Sequence, residues 1–151
     1  MTQKSLQAAL ELANDAINGA LQLLQATVEV KASLDSMVNM YLRTALWSSN
    51  DESTPEGGEP FDKNYDLQDI APESIAKAKE DCAAFLEKAG DLASEFDDED
   101  LGHDFWLSRN GHGAGFFDGD YGDKGDELQK LAKSFGEVNP MLGDDGQIYF
   151  A

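Results

Sequence analysis

A regular stripe of apolar residues runs through the first third of the chain. It recurs at steps of three or four positions, at Leu6, Leu10, Ala13, Ile17, Ala20, Leu24 and Val28. This spacing is typical of one face of an amphipathic helix. Apolar residues continue less regularly to Leu46, and Ser33 or Asp35 is placed to cap a second helix if the chain breaks there. The pattern predicts a long helix, or a helix pair, within a helical N-terminal segment over residues 1–47.

The stripe allows two interpretations. In the first, it packs against the chain's own domain. In the second, it is a homodimer seam through residues 6–28 or a face that docks on another protein, although three heptads are barely enough for a coiled coil. An adaptor that assembles through this helix is one functional hypothesis that follows from the second interpretation.

The next segment, residues 48–60 with the sequence SSNDESTPEGGEP, contains two prolines, two glycines, four acids and no apolar residue. This composition predicts an acidic loop or linker. It would separate the helical segment from an α+β domain over residues 61–151.

A second helical pattern begins at Pro72, because the first turn of a helix tolerates a missing N–H. Its apolar face continues to about Phe96 and includes Cys82. Carboxylates follow another face at Glu73, Glu80, Glu87, Asp91 and Glu95. We expect them roughly 6 to 10 Å apart, which is comparable with the spacing of about 7 Å between phosphates of one DNA strand.

The segment after this acidic helix changes to FWLSRNGHGAGFF. Asn110 and Gly111 form a dipeptide favoured in type I′ turns, so residues 105–109 and 112–117 are predicted to form a β-hairpin. A short helix that ends at Gly136 and a final strand in GDDGQIYFA follow. The strand could complete a three-stranded antiparallel sheet, and the predicted fold class is α+β.

The net charge of the chain excludes several classes of function. Thirty acidic against eleven basic residues give a net charge of −19, divided as −1 over residues 1–49, −14 over residues 50–104 and −4 over residues 105–151. Such a chain is a poor ligand for nucleic acid or anionic lipid. No apolar run approaches 18 residues and the first residues do not form a signal peptide pattern, so we expect a cytoplasmic protein. Cys82 is the only cysteine, and we expect it to be a buried, inert thiol.

Four segments together resemble a family of small acidic proteins encoded by bacteriophages and other bacterial mobile elements. The similarity covers roughly residues 38–150 and is carried by YLRTALWSSNDES at 41–53, NYDLQDIAP at 64–72, GHDFWLSRNGHGAGFFD at 102–118 and FGEVNPMLGDDGQIYF at 135–150. The resemblance implies a protein that acts in the cytoplasm of a host bacterium. It implies no catalytic role for any residue.

Metal chemistry is the enzymatic alternative. His103, His112 and Asp118 could centre a small metal-dependent enzyme, but hairpin pairing would hold the two imidazoles far apart. A calcium loop that begins at Asp118 fails because Asp123 stands where glycine is required and Gln129 where glutamate is required. We therefore expect no metal and no cofactor.

The acidic surface is the stronger candidate, and we expect a non-catalytic protein that binds a host protein with a basic nucleic-acid-binding surface. DNA mimicry that inhibits a host nuclease or another defence protein, as in anti-restriction, is the specific form of this hypothesis. Its predicted contact residues are Glu73, Glu80, Glu87, Asp91, Glu95, Asp97, Asp98, Glu99 and Asp100. The hairpin motif is a second candidate surface and comprises His103, Phe105, Trp106, Arg109, Asn110, His112, Phe116 and Phe117.

Overall fold

The computed structural model describes residues 2–112 and 114–151 and has an α+β fold. Its elements are α1 (Gln3–Ser48), β1 (Asn50–Asp51), β2 (Glu59–Pro60), α2 (Pro72–Ala89), α3 (Asp98–Arg109), α4 (Gly125–Ser134), β3 (Pro140–Leu142) and β4 (Ile148–Phe150). The chain divides into two compact units, residues 1–33 and 34–151. This boundary lies inside α1 and not at residue 47, because the residues from Met37 to Leu46 belong to the core of the second unit.

The first unit is the N-terminal part of α1. The predicted helix is present and continues as one element to Ser48, so the alternative of a helix pair is wrong. Residues 2–32 are all exposed, and the large apolar side chains among them are 51–73% accessible to solvent. The stripe is therefore uncovered in the part of the chain that the structure describes.

The second unit is built around an aromatic core. The Phe85 ring of α2 stacks on Phe105 of α3 and on Phe116, with ring centroids 4.4 and 5.5 Å apart. Tyr41 of α1 meets Trp106 of α3 edge to face at 5.2 Å. The C-terminal part of α1 therefore supplies one wall of this core, and α2, α3 and α4 supply the others.

Helix α2 is shorter than predicted. It begins at Pro72 as expected but ends at Ala89, because Gly90 adopts a left-handed φ of +51° and a 3₁₀ turn over Gly90–Leu92 follows. The expectation of one continuous acidic helix to Phe96 is therefore wrong. The apolar residues beyond Ala89 still face the core, since Ala93 is buried and Leu92 and Phe96 pack against it.

The predicted hairpin over residues 105–117 is also wrong. Residues 98–109 form helix α3, whose N-cap Asp97 accepts a hydrogen bond from the Glu99 amide. The acids of the first turn favour this helix because they lie at the positive end of its dipole. Asn110 and Gly111 end the helix: Gly111 has a φ of +67°, and the Asn110 side chain donates to the Trp106 carbonyl at 3.0 Å. Gly113, within the second predicted strand, lies outside the described residues.

The strands form two separate two-stranded antiparallel sheets, so the predicted three-stranded sheet is wrong. The final strand itself is confirmed as β4, but its partner is β3, with Leu142 opposite Ile148. The turn between them uses Gly146 at a φ of +80°. The predicted acidic loop holds the second pair, in which Asn50 lies opposite Pro60. The short helix before Gly136 is confirmed as α4.

Candidate functional site

The motif residue Arg109 lies in the interior and organises the second unit. Its guanidinium donates to the Asp81 carboxylate and the Tyr41 hydroxyl, both at 2.9 Å, and to the carbonyls of Phe135 and Gly136 at 3.0 and 2.9 Å. The Arg109 side chain is 3% exposed. Because Arg109 joins α1, α2, α3 and the end of α4 through four of its five N–H donors, its role is to hold the core together.

Other motif residues surround a pocket of about 550 Å³ in the second unit. Three stretches that are remote in sequence line it: residues 48–53, residues 138–142, and the α3 end with Trp106, Asn110 and His112. The three stretches lie within the motif segments 41–53, 135–150 and 102–118, respectively. This pocket was not predicted, because residues 48–53 have the composition of a plain linker.

Hydrogen bonds hold the floor of the pocket. The Trp106 indole donates to the Ser48 hydroxyl at 2.9 Å, and that hydroxyl donates to the Thr44 carbonyl at 2.6 Å. The Asn110 side-chain oxygen Oδ1 accepts a hydrogen bond from the Val138 amide at 2.8 Å. The rim carries Asp51, Glu52 and the exposed His112, and the described residues that line the pocket include no lysine or arginine. A polar or cationic group suits this lining better than an anion.

His103 occupies a different place. Its ring stacks on the half-exposed Trp47 at 5.7 Å, and its Nδ1 lies 2.8 Å from the Asp104 carboxylate. The other oxygen of Asp104 accepts a short hydrogen bond from the Tyr121 hydroxyl. His103 is therefore oriented by a ring and a carboxylate, as part of a polar cluster at the edge of the core.

The proposed metal-binding residues do not come together. His103 contacts Asp104, His112 lines the pocket, and Asp118 accepts a hydrogen bond from the Gly115 amide at 3.0 Å. Within residues 2–112 and 114–151, no group of three or more His, Cys, Asp or Glu side chains is arranged to hold a metal ion.

The remaining motif aromatics do not form one exposed face. Phe105 and Phe116 are fully buried, whereas Phe117 is 71% exposed. The chain after α3 folds back tightly, because the Ser108 hydroxyl accepts from the Phe116 amide at 3.0 Å. The aromatic motif is thus mostly core.

The acidic residues are distributed over three local structures. Glu73, Glu80 and Glu87 follow one exposed face of α2, as their seven-residue spacing predicts. Asp91 and Glu95 lie beyond the end of α2, so the expectation that all five share one helix face is wrong. The last four, Asp97, Asp98, Glu99 and Asp100, form the N-cap and first turn of α3.

Few of these carboxylates are neutralised by neighbours. Glu80 lies 3.7 Å from Lys77, and Glu95 lies 2.9 Å from Lys124. Five others are exposed and have no lysine or arginine within ion-pair distance in the described part of the chain: Glu73, Glu87, Asp91, Glu99 and Asp100. These five carboxylates are free to meet the cations of a partner.

Three buried side chains that lose a proton at high pH, two tyrosines and one cysteine, predict a loss of stability at alkaline pH. Burial raises the pKa of Tyr41, Cys82 and Tyr121 above their ordinary values, and for Tyr121 the bond to the Asp104 carboxylate adds to the shift. In the unfolded chain such groups ionise near pH 8.5 for Cys and near pH 10 for Tyr. Below about pH 8.5 these groups do not change the free energy of unfolding with pH. Above the pKa that a group has in the unfolded chain, and up to its raised pKa in the folded chain, each group lowers the free energy of unfolding by about 1.4 kcal/mol per pH unit.

Urea unfolding between pH 8 and pH 11 measures this loss. The slope should be shallower for Tyr121→Phe, which removes one of the three groups. A free energy of unfolding that stays constant over this range would contradict the burial of these groups.

No helix among the described residues has both the length and the apolar character needed to cross a membrane. Comparison with protein-family models, with curated proteins and with solved structures finds no match to this chain.

Proposed function

We propose that this chain is a non-catalytic binding protein whose acidic surface occupies the basic surface of a nucleic-acid-binding protein. The acidic surface is defined here as Glu73, Glu80, Glu87, Asp91, Glu95 and residues 97–100. The observation that carries the proposal is the net charge of −14 on residues 50–104, combined with the five exposed carboxylates that have no lysine or arginine partner among the described residues.

A negative charge of this size destabilises the free protein, and binding to a cationic partner offsets that destabilisation. Like charges close together repel one another in the free protein, and a cationic partner relieves this repulsion. A groove that binds DNA presents lysines and arginines and holds small anions, which a carboxylate surface displaces as phosphates do. The resemblance to phage and mobile-element proteins adds a biological setting in which a host nuclease or defence protein is the target.

Part of the acidic surface also stabilises the chain's own fold. Residues 97–100 complement the dipole of α3, and Glu95 pairs with Lys124. Binding is therefore best tested by substitutions in α2 and the turn after it. Carboxylates there that do not complement a helix N-terminus can be changed without loss of this stabilisation. Glu80, Glu87 and Asp91 are exposed and meet this condition.

Charge reversal at these three positions tests the proposal. The variant Glu80→Lys/Glu87→Lys/Asp91→Lys should lose the host proteins that the wild-type chain captures from bacterial lysate. A matched control, Asp120→Lys/Glu137→Lys/Asp144→Lys, changes the net charge equally at other exposed acids and should retain them. Raised salt and added duplex DNA should both release the captured proteins, because an exposed charge interface is screened within about 8 Å at physiological ionic strength.

The outcome that would overturn the proposal is equally definite. Capture that is the same for all three chains, or that neither salt nor duplex DNA reduces, would show that binding does not use the acidic surface. The pocket beside His112 would then be the next surface to test.

A further inference from the structure

The exposed apolar stripe of α1 is the largest feature that the proposed function leaves unused. Its side chains at Leu6, Leu10, Ile17, Leu21, Leu24 and Val28 are 51–66% exposed. Most of the stability of helices in proteins comes from packing of their apolar face. We propose that a second copy of this chain covers the stripe, as an antiparallel helix pair over residues 6–31.

Side-chain size along the stripe favours a second copy in this orientation. Large residues recur every seven positions at Leu10, Ile17 and Leu24, and small residues recur every seven at Ala13, Ala20 and Thr27, the last of which borders the stripe at Val28. In an antiparallel pair centred between Ile17 and Ala20, each of the central layers sets a large residue of one chain against a small residue of the other, and the outermost layer sets Leu6 against the aliphatic stem of Lys31. The layers are Ile17 with Ala20, Leu10 with Thr27, and Leu24 with Ala13.

A parallel pair would pack the same residues poorly. It would set Leu10, Ile17 and Leu24 each against its own copy, and the small residues likewise against theirs. Overfilled layers would alternate with empty ones. Interiors pack best when large and small side chains face each other at uniform density, so the antiparallel register is the favoured one.

Charge favours the same arrangement. Residues 1–33 carry three acids and two lysines, a net charge of −1, whereas residues 34–151 carry −18. The antiparallel register places the two copies of Leu34 about 45 Å apart at 1.5 Å per residue. This distance is several times the screening length of about 8 Å at physiological salt, so charges next to the two copies of Leu34 repel each other little. A parallel pair would bring both copies of Leu34 to the same end of the helix pair.

The area available is sufficient for self-association. At roughly 100 Å² of removable surface for each of the six large side chains, a pair would bury roughly 1,200 Å². This value is at the lower end of the range for stable specific interfaces. A membrane surface fits less well, because helices that lie on membranes carry Lys and Arg on their polar face. The polar face of α1 carries one lysine, Lys4, and is otherwise acidic or uncharged at Glu11, Asp15, Asn18, Gln25 and Glu29.

Sedimentation of the full chain tests the association. At micromolar concentration the wild type should have twice the monomer mass of 16.4 kDa. Ile17→Asp places a charge in the central layer and should give a monomer. Leu12→Asp adds the same charge at a residue that is 71% exposed but lies off the stripe, and this control should remain dimeric. A monomeric wild type, or an Ile17→Asp variant as dimeric as the control, would overturn the proposal.

Disulfide cross-linking tests the orientation. The register places Leu6 of one copy beside Lys31 of the other, so a mixture of the single variants Leu6→Cys and Lys31→Cys should form a covalent dimer on mild oxidation. The native Cys82 is buried and does not compete. Cross-linking of Leu6→Cys alone would show a parallel pair and contradict the register. Because both tests read mass and covalent linkage, their failure is distinguishable from failure of the acidic surface to bind a partner.

Discussion

Replacing Arg109 with methionine should lower the free energy of unfolding by about 3 to 5 kcal/mol, because it leaves the buried Asp81 carboxylate without its main partner. The same change deprives the Tyr41 hydroxyl and the carbonyls of Phe135 and Gly136 of their donor. Lys77 lies 3.1 Å from Asp81 and moderates the loss. Its side chain is 62% exposed, however, so its attraction is weakened by solvent.

Chemical denaturation of two further variants tests whether the unpaired Asp81 carboxylate causes this loss of stability. Arg43→Met removes an exposed arginine whose side chain contacts Asn39 at 2.7 Å, and it should change stability by less than about 0.5 kcal/mol. Asp81→Asn in the Arg109→Met background should recover part of the loss, because a neutral amide costs less to bury than an unpaired carboxylate. An Arg109→Met chain as stable as Arg43→Met would mean that Arg109 is not buried against Asp81.

The second large effect is expected from one methyl group at Gly102. A Cβ built at Gly102 would lie 2.2 Å from the Met37 carbonyl oxygen and 3.0 Å from the Tyr41 amide nitrogen. Both obstacles are backbone atoms of α1, so α3 must move away from α1 to accept the change. We expect Gly102→Ala to lower the free energy of unfolding by about 3 kcal/mol, at the upper end of the usual overpacking cost.

Thermal and chemical unfolding measure this cost, and Gly19→Ala is its matched control. Gly19 also lies within a helix, but a Cβ there would meet no atom within 4 Å. Alanine at Gly19 should therefore strengthen the helix by about 0.5 to 1 kcal/mol, because it restricts the unfolded chain. If Gly102→Ala were as well tolerated as Gly19→Ala, α1 and α3 could not pack as closely as they do here.

Periodicity was sufficient to predict α1, the beginning of α2, α4 and the last strand. These elements have unambiguous spacing or clear end signals, such as Pro72 and Gly136. Residues 98–109 were predicted wrongly because the Asn110–Gly111 dipeptide outweighed a helical signal that was also present. Leu101, Phe105 and Arg109 recur every four residues behind an acidic first turn, and all three are buried.

The sites depend on information that local pattern does not contain. Sequence spacing does not distinguish a buried arginine from an exposed one. The partners of Arg109 are Tyr41 in α1, Asp81 in α2 and Phe135 at the end of α4. The pocket likewise forms only when residues 48–53 and 138–142 meet the end of α3. The acidic residues of α2 could be predicted because their spacing within a single helix fixes the face they share.

The contacts of the second unit also determine the order in which it can fold during synthesis. Its first core segment, Met37–Leu46, leaves the ribosome well before its partners in α3, since 68 residues separate Tyr41 from Arg109 and 58 separate Ser48 from Trp106. The hydrogen bond between Ser74 and Phe150 likewise joins residues that are 76 positions apart. Although the second unit is mostly helical, its core depends on contacts between residues that are far apart in the sequence, and such contacts slow folding. Its apolar α1 segment stays uncovered at least until α3 has been synthesised, and during that time it is open to chaperones or to a neighbouring nascent chain.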